Sequence, residues 1–187
     1  MVCMRPGPHV EPTAQRALKV GLHDARASAA DREWLTNVYP FYLHDLSEFD
    51  EHYYTLNDRG LWEPDHLPSW LQHDTDHPLI IRHSETRVGF ALVNEAPSAD
   101  TMPGFRFRLA EFFILKRYRR ARLGFRAAQA LFDQFRGRWQ LSILARNAPA
   151  IAFWRRVLGD RASLQEESGP RGEIVYVFDT DRGKADE

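Results

Sequence analysis

The stretch from Glu111 to Ala128 constrains the fold most. The apolar residues 112–115 end abruptly in Lys116, Arg117, Arg119, Arg120 and Arg122; Gly124 follows, and an alanine-rich helical pattern begins. This reads as strand, basic turn, helix start. The first backbone N–H groups of a helix have no partner within it. The helix dipole places partial positive charge at the same end. Together these favour a bound anion, phosphate above all. With Arg117, Arg119, Arg120 and Arg122 crowding the turn, the expected anion is a polyphosphate.

The rest of the chain supplies one domain's worth of structure around that stretch. A chain of 187 residues fits a single domain, since domains run to roughly 100–200 residues. Residues 1–15 carry Pro6, Pro8 and Pro12 with little apolar periodicity and are expected to form a tail, as are residues 181–187. The expected domain covers residues 16–180. The chain's one cysteine, Cys3, lies in the expected tail, leaves no internal disulfide and fits a reducing compartment. No apolar run approaches the roughly 20 residues of a membrane span. The first residues lack the apolar core of a signal peptide. A cytoplasmic protein without membrane contact is expected.

The formal net charge of -1 argues against whole-molecule attraction to nucleic acid. It conceals a split. From His44 to His77 the chain carries Asp45, Glu48, Asp50, Glu51, Asp58, Glu63, Asp65, Asp74 and Asp76 against Arg59 alone. From Arg106 to Arg161 arginine dominates, and Glu111, Asp133 and Asp160 are the only acids. Solvated surface accounts for most such charges. The histidines of the acidic segment, His44, His52, His66, His73 and His77, have no zincin spacing and no accompanying cysteine, so no metal is expected.

Taken in order, residues 17–22 alternate as a first strand. Ser28 and Asp31 have the spacing of a capping box. Leu35, Val38, Tyr39, Tyr42, Leu43 and Leu46 then form an amphipathic stripe. Pro40 within it is expected to kink or restart the helix near Tyr39, opening a groove. Residues 52–78 read as a long loop around a short helix near 68–73, and a long irregular connection is often functional. Residues 79–83 and 88–94 read as a hairpin across the turn at 84–86. Residues 105–115 form a long fourth strand whose second half is apolar on both faces, as a central strand requires. The next helix carries Leu123, Ala127, Ala128, Leu131 and Phe135 on one stripe and stops by Gly137. A fifth strand, 139–144, precedes a helix opened by Asn147 with Pro149 in its first turn and closed by Gly159. Strands near 162–165 and over 173–178 complete the chain. The alternation implies a crossover onto a partly parallel sheet.

These residues resemble one family, the GNAT (Gcn5-related) N-acetyltransferases. The family's usual signature is Arg or Gln, two residues, Gly, one residue, then Gly or Ala, between the fourth strand and the third helix. The corresponding stretch is Arg119-Arg-Ala-Arg-Leu-Gly124. The run from Asn147 through Ala150 to Phe153 and Trp154 is similar to the family's Asn-x-x-Ala-x-x-(Phe/Leu)-Tyr helix. The resemblance spans roughly Leu18 to Phe178. It implies an α/β (α+β) fold: a mixed, mostly antiparallel sheet of six or seven strands, splayed between strands four and five and flanked by about four helices.

The resemblance also implies acetyl-CoA as donor. The end of the fourth strand, Phe112, Phe113 and Ile114, would pair with the pantetheine arm. The turn amides of Arg119, Arg120, Ala121, Arg122, Leu123, Gly124, Phe125 and Arg126 would wrap the diphosphate. Asn147 would touch the pantetheine or thioester end, and Trp154 would pack against cofactor or core. Arg122 replaces the first signature glycine. It is tolerable if its φ is helical and its side chain points outward, where it can add a charge-assisted bond to phosphate. Trp154 replaces the tyrosine that protonates the leaving thiolate in many members. A thiol of pKa about 8.5 needs little such help.

Glu111 resembles the glutamate that some histone-acetylating members place on this strand, and is the candidate base. An ammonium acceptor must lose a proton before it attacks, and a semi-buried carboxylate suits that task. The competing readings pair Glu111 with Arg106 or Arg108, or face it to solvent. Tyr42, Asp45 and Glu48 would line the acceptor side and favour a cationic amine. The expected function is acetyl transfer from acetyl-CoA to a primary amine, on a small molecule or on a lysine or chain N-terminus, by direct attack. Partners would include no nucleic acid or membrane; the chain would be a monomer or homodimer. The alternative is a non-catalytic acyl-CoA-binding or regulatory module of the same fold.

Overall fold

The computed structural model describes residues 20–50, 54–63, 65–97, 103–159, 164–169 and 172–181. The expected tail, the start of the first strand and the start of the strand near residue 162 lie outside them. The described strands are β1 (Val20–Asp24), β2 (Thr55–Leu56), β3 (Trp62–Glu63), β4 (Asp76–His83), β5 (Thr86–Glu95), β6 (Phe107–Ile114), β7 (Arg138–Ile143), β8 (Gln165–Ser168) and β9 (Ile174–Asp179). The α-helices are α1 (Ala29–Ser47), α2 (Leu67–Trp70), α3 (Leu123–Gln134) and α4 (Ala148–Leu158). A 3₁₀ turn, Lys116–Ala121, precedes α3. Seven strands form one sheet in the order β1-β4-β5-β6-β7-β9-β8. Every neighbouring pair is antiparallel except β6 and β7, which α3 joins as a parallel crossover. These are strands four and five of the sequence reading, renumbered because β2 and β3 form a separate small hairpin in the expected loop.

The sheet separates two apolar layers. On one face, Phe107, Leu109 and Ile114 of β6 pack with Leu123, Ala127, Leu131 and Phe132 of α3 and Trp154 and Val157 of α4. On the other, Phe90, Leu92 and Phe113 pack with Leu35, Val38, Tyr39, Tyr42 and Leu43 of α1 and Trp70 of α2. Side chains alternate along a strand, so a residue's parity assigns its face. In β6 the parity changes midway. Leu92 pairs with Glu111, but Val93 pairs with Leu109. Ala110 is therefore an extra residue, a β-bulge. Before it, odd residues face α3 and α4; after it, even residues do. A one-residue slip of this kind turns every later side chain to the opposite face. The bulge is what sends Glu111 towards α1. Gly89 of β5 lies opposite the end of this strand, and a Cβ there would stand 2.0 Å from the Phe113 carbonyl oxygen.

Two helix expectations change. Ser28 makes no side-chain capping bond. Asp31 instead is buried and paired with the β4–β5 hairpin: Arg82 Nη2 donates to both carboxylate oxygens at 2.8 and 3.0 Å, and Arg87 Nε donates at 2.5 Å. The capping box fails because two guanidinium groups offer a buried carboxylate more than one amide can. Nor does α1 restart at Pro40; it runs unbroken to Ser47. Pro40 and Thr36, whose carbonyl loses its usual partner, both lie on the exposed face, where water can serve. The short helix α2 forms at Leu67–Trp70, a residue or so earlier than expected.

Burial by itself would raise the Asp31 pKa, but the bonds from Arg87 and Arg82 outweigh it and hold the carboxyl below its ordinary value. A lowered carboxyl pKa contributes stability above the unfolded value, lost as pH falls through the folded value. Asp31→Asn is expected to lower the unfolding free energy by about 2–3 kcal/mol at pH 7, below the full figure for a deeply buried pair because both arginines are partly exposed. Urea midpoints would show it, with the gap between the two chains closing in acid.

Candidate active site

Strands β6 and β7 share only three register pairs, Phe107 with Trp139, Arg108 with Gln140 and Leu109 with Leu141. Pairing stops at the bulge. Beyond it β6 continues along β5, and β7 continues along β9. The two strands thus present edges to each other without a ladder between them. Two cavities occupy this gap. One, of about 540 Å³, is lined by Tyr39, Tyr42, Tyr54, Trp70, Asp76, Asn94, Arg108, Glu111 and Glu173, among others. The other, of about 410 Å³, runs past Phe112, Phe113 and Ile114 to Asp45, Glu48, Lys116, Arg119, Gly124, Pro149 and Phe153. Tyr42, Leu46, Phe112, Asn147, Ala150 and Trp154 border both.

Glu111 lines the first cavity, partly buried, and its Oε2 accepts a hydrogen bond from the Tyr42 hydroxyl. It pairs with neither arginine of the sequence reading. Arg106 goes to Glu95, and Arg108 Nη1 donates to Asn94 Oδ1 at 3.1 Å. Burial is the main influence on Glu111 and pushes its carboxyl up to about 7; the Tyr42 bond and the Arg108 charge pull the other way and lose. Tyr42 is itself buried. That burial, with the Glu111 charge added, pushes its hydroxyl well above the ordinary tyrosine value.

A polar row supports this floor. Asp76, Asn94 and Arg108 are directly opposite one another on β4, β5 and β6. Asn94 Nδ2 donates to Asp76 Oδ1 at 2.7 Å, and Arg108 completes the row through the Asn94 oxygen. Such cross-strand bonds satisfy groups that would otherwise be buried without partners. The sequence reading missed Asp76 and Asn94 as site residues. They are 18 residues apart, and only the hairpin register brings them together. Phe153 was within reach, since it sits in the Asn147 helix pattern.

The second cavity ends at the basic turn. No side chain caps α3, which leaves its leading N–H groups open. Gly124 lies in the first turn, where a Cβ would meet the Phe153 ring at 3.3 Å; its role is close packing of α3 on α4. Arg122 has φ 57° and ψ 10°, so the condition of a helical φ is not met. It occupies the left-handed region that glycine enters freely. Its side chain is exposed, as are Ala121, Phe125 and Arg126, while Leu123 is buried. Arg120 lies in the 3₁₀ turn.

Asp45 belongs to this end. Its carboxylate takes Lys116 Nζ at 3.0 Å and Arg119 Nη2 at 2.6 Å. Burial would raise its pKa, but bonds from Arg119 and Lys116 dominate and lower it. Arg119 also donates through Nε to the Ile114 carbonyl at 2.7 Å and lies over the Phe113 ring. Asp45 and Glu48 thus line the second cavity, away from Glu111; of the three residues expected on the acceptor side, only Tyr42 reaches the first. Asn147 Oδ1 caps α4 by accepting from the Ala150 N–H at 3.1 Å. Trp154 is buried against Phe112 and Phe153, with centroids 5.2 and 4.9 Å away.

A family model described as "Acetyltransferase (GNAT) family" matches residues 31–160. The chain belongs to the GNAT acetyltransferase family. Solved GNAT-fold structures agree. An acetyltransferase from Thermus thermophilus is similar at TM-score 0.58 and 16% identity, covering 87% of this chain and 97% of that one. The structure of yncA from Salmonella typhimurium with acetyl-CoA is similar at 0.55 and 17%, covering 90% and 98%. The paia N-acetyltransferase from Thermoplasma acidophilum in complex with coenzyme A is similar at 0.50 and 11%, covering 86% and 99%. At these identities the likeness is one of fold. No significant sequence match is found among curated proteins. The seven-stranded, mostly antiparallel sheet with its flanking helices is therefore the GNAT architecture. Among the described residues no helix is long and apolar enough to cross a membrane, and no cluster of three His, Cys, Asp or Glu could hold a metal.

Two outcomes follow from these environments. A carboxyl whose folded pKa is raised costs the folded state stability as pH climbs from its unfolded value, about 4.3, to its folded one, and no more beyond it. Glu111→Gln keeps an acceptor for Tyr42 and removes the charge. It should leave stability nearly unchanged at about pH 4 and raise it by roughly 2–3 kcal/mol at pH 8.5, as thermal unfolding at the two pH values would reveal. At Arg122 the left-handed φ decides the sign: Arg122→Gly should exceed Arg122→Ala in stability by about 1 kcal/mol, whereas at a right-handed helical position the order would reverse.

Proposed function

We propose that this GNAT domain transfers the acetyl group of acetyl-CoA to a primary amine by direct attack, with Glu111 as the base. The observation that carries the reading is the position of Glu111, in the gap where β6 leaves β7, with a carboxyl raised to about 7 by burial. A base titrating near neutral pH combines a useful ionised fraction with adequate proton affinity.

The donor fits the second cavity. The splayed edge of Phe112, Phe113 and Ile114 suits an extended arm that adds hydrogen bonds to a free strand edge. Of the amides from Arg119 to Arg126, those in the 3₁₀ turn are used within it and that of Arg126 donates to the Arg122 carbonyl at 3.1 Å; the uncapped start of α3, Leu123 to Phe125, suits a diphosphate, with Arg122 and Arg126 exposed beside it. Asp45 now neutralises Lys116 and Arg119, so a diphosphate would take over a role this carboxylate already plays. The acceptor fits the first cavity. A cationic amine draws its support there from Asp76 and Glu173 together with the rings of Tyr39, Tyr54 and Trp70, rather than from Asp45 and Glu48.

A panel of amines assayed for thiol release from acetyl-CoA tests the reading; absence of any amine-dependent release would leave only the binding module. With a productive amine, kcat should rise with pH through about 7 as the Glu111 carboxyl ionises. Glu111→Gln should lower kcat by about a hundredfold and abolish that rise, with acetyl-CoA affinity nearly unchanged. Equal turnover by the two chains across the pH range would remove Glu111 from the mechanism.

A further inference from the structure

Trp154 stands where many relatives place a proton-donating tyrosine, and indole has no proton to give at neutral pH. The leaving sulfur of the thioester would lie where the donor cavity meets the acceptor cavity. Six residues border both: Tyr42, Leu46, Phe112, Asn147, Ala150 and Trp154. Of their side chains, only the Tyr42 hydroxyl carries a dissociable proton. The Asn147 amide is no acid, and its oxygen is already committed to the Ala150 N–H. Tyr42 is not free-standing either: it donates to Glu111 Oε2.

We infer that Tyr42, on the first long helix, is the proton path from Glu111 to the leaving sulfur, so that one tyrosine–glutamate pair serves both as base and as acid. The inference rests on the acyltransferase reading above. In the step itself, the amine nitrogen forms the C–N bond to the thioester carbonyl carbon. The C–S bond breaks, and its electron pair stays on sulfur. The Glu111 carboxylate takes the proton that nitrogen loses. Tyr42 passes its hydroxyl proton to sulfur and receives the one on Glu111. Both side chains return to their starting forms, and no other reactant is needed.

The direction of transfer is favourable. An isolated tyrosine with its pKa raised this way would be a poor acid towards a thiolate. Coupled to Glu111, the proton moves from a carboxyl of about 7 to a thiolate whose acid has pKa about 8.5. The other groups acting on the pair are Arg108 beside Glu111 and Tyr39 and Tyr54 beside Tyr42. Of these, Arg108 lines only the acceptor cavity, as do the two tyrosines. None of them borders both cavities.

Tyr42→Phe tests this without relying on rate alone. In the complex with coenzyme A, the bound thiol is titrated by its ultraviolet thiolate absorbance, with desulfo-CoA as blank. The thiol pKa should be about one unit higher in Tyr42→Phe than in the parent chain, because a hydrogen-bond donor to the thiolate is gone; an unchanged value overturns the inference. With acetyl-CoA and n-butylamine, kcat should fall by about tenfold to a hundredfold at unchanged acetyl-CoA KM. The solvent-isotope proton inventory should change from curved to linear. A curved inventory in Tyr42→Phe would mean that the hydroxyl only positions Glu111, and would overturn the relay. If Tyr42→Phe does not fold, 3,5-difluorotyrosine at position 42 keeps the shape and acidifies the hydroxyl; it should alter kcat by about threefold or more, and an unaltered kcat counts against the path. If coenzyme A does not bind the parent chain at all, the acyltransferase reading itself has failed, an outcome separate from these.

Discussion

One extra residue in β6 governs the rest of the site. Ala110 interrupts the pairing with β5 between Leu92 and Val93, and pairing between β6 and β7 ends at the same level. The strand bends away, as bulged strands do, and the gap becomes two cavities sharing a wall. The same insertion reverses the pleat. Phe107 and Leu109 face α3 and α4, while Phe113 faces α1. Glu111 follows immediately, so the opening and the carboxylate inside it have one cause. Without the bulge Glu111 would turn into the apolar layer under α3 and α4, where an ionisable group has no partner.

Helix α1 acts as a strap across this opening. Asp31, Leu35, Val38, Tyr42 and Asp45 follow at spacings of three and four and so lie along one stripe. Its apolar members fill the core, and its polar members each hold a different element. Asp31 takes Arg82 and Arg87 of the β4–β5 hairpin. Tyr42 takes Glu111 of β6. Asp45 takes Lys116 and Arg119 of the basic turn. The acidic segment and the basic segment are thus partly each other's counter-ions. At Asp45 the charge split of the sequence is an internal contact.

The basic turn departs from the simplest phosphate cradle in two ways. Arg119 is spent on Asp45 and on the Ile114 carbonyl. Arg122 adopts a backbone conformation that costs a residue with a Cβ about 1–2 kcal/mol. A conformation of that kind persists where surrounding structure enforces it, and it is found disproportionately at functional sites. Here Arg122 joins the 3₁₀ turn to α3, whose first turn packs Gly124 against Phe153. At the other wall Trp154 fills its position with aromatic contact and carries no acid.

The sequence by itself determined the elements and their order. Hydrophobic periodicity of two marked the strands and of three to four marked the helices; Asn147, Gly137 and Gly159 bounded α3 and α4; the run from Glu111 to Ala128 marked a strand, a basic turn and a helix start. These signals are local, because a backbone's hydrogen bonds and faces repeat over a few residues. Only the tertiary structure decided the pairings. Asp31 looked like a capping residue until Arg82 and Arg87, 51 and 56 residues away, claimed it. Asp76 and Asn94 met through a strand register, Glu111 met Tyr42 across 69 residues, and Asp45 turned to Lys116 and Arg119. A carboxylate's partner is set by which strand edge, helix face and bulge phase arrive beside it, and none of these is written in the few residues on either side.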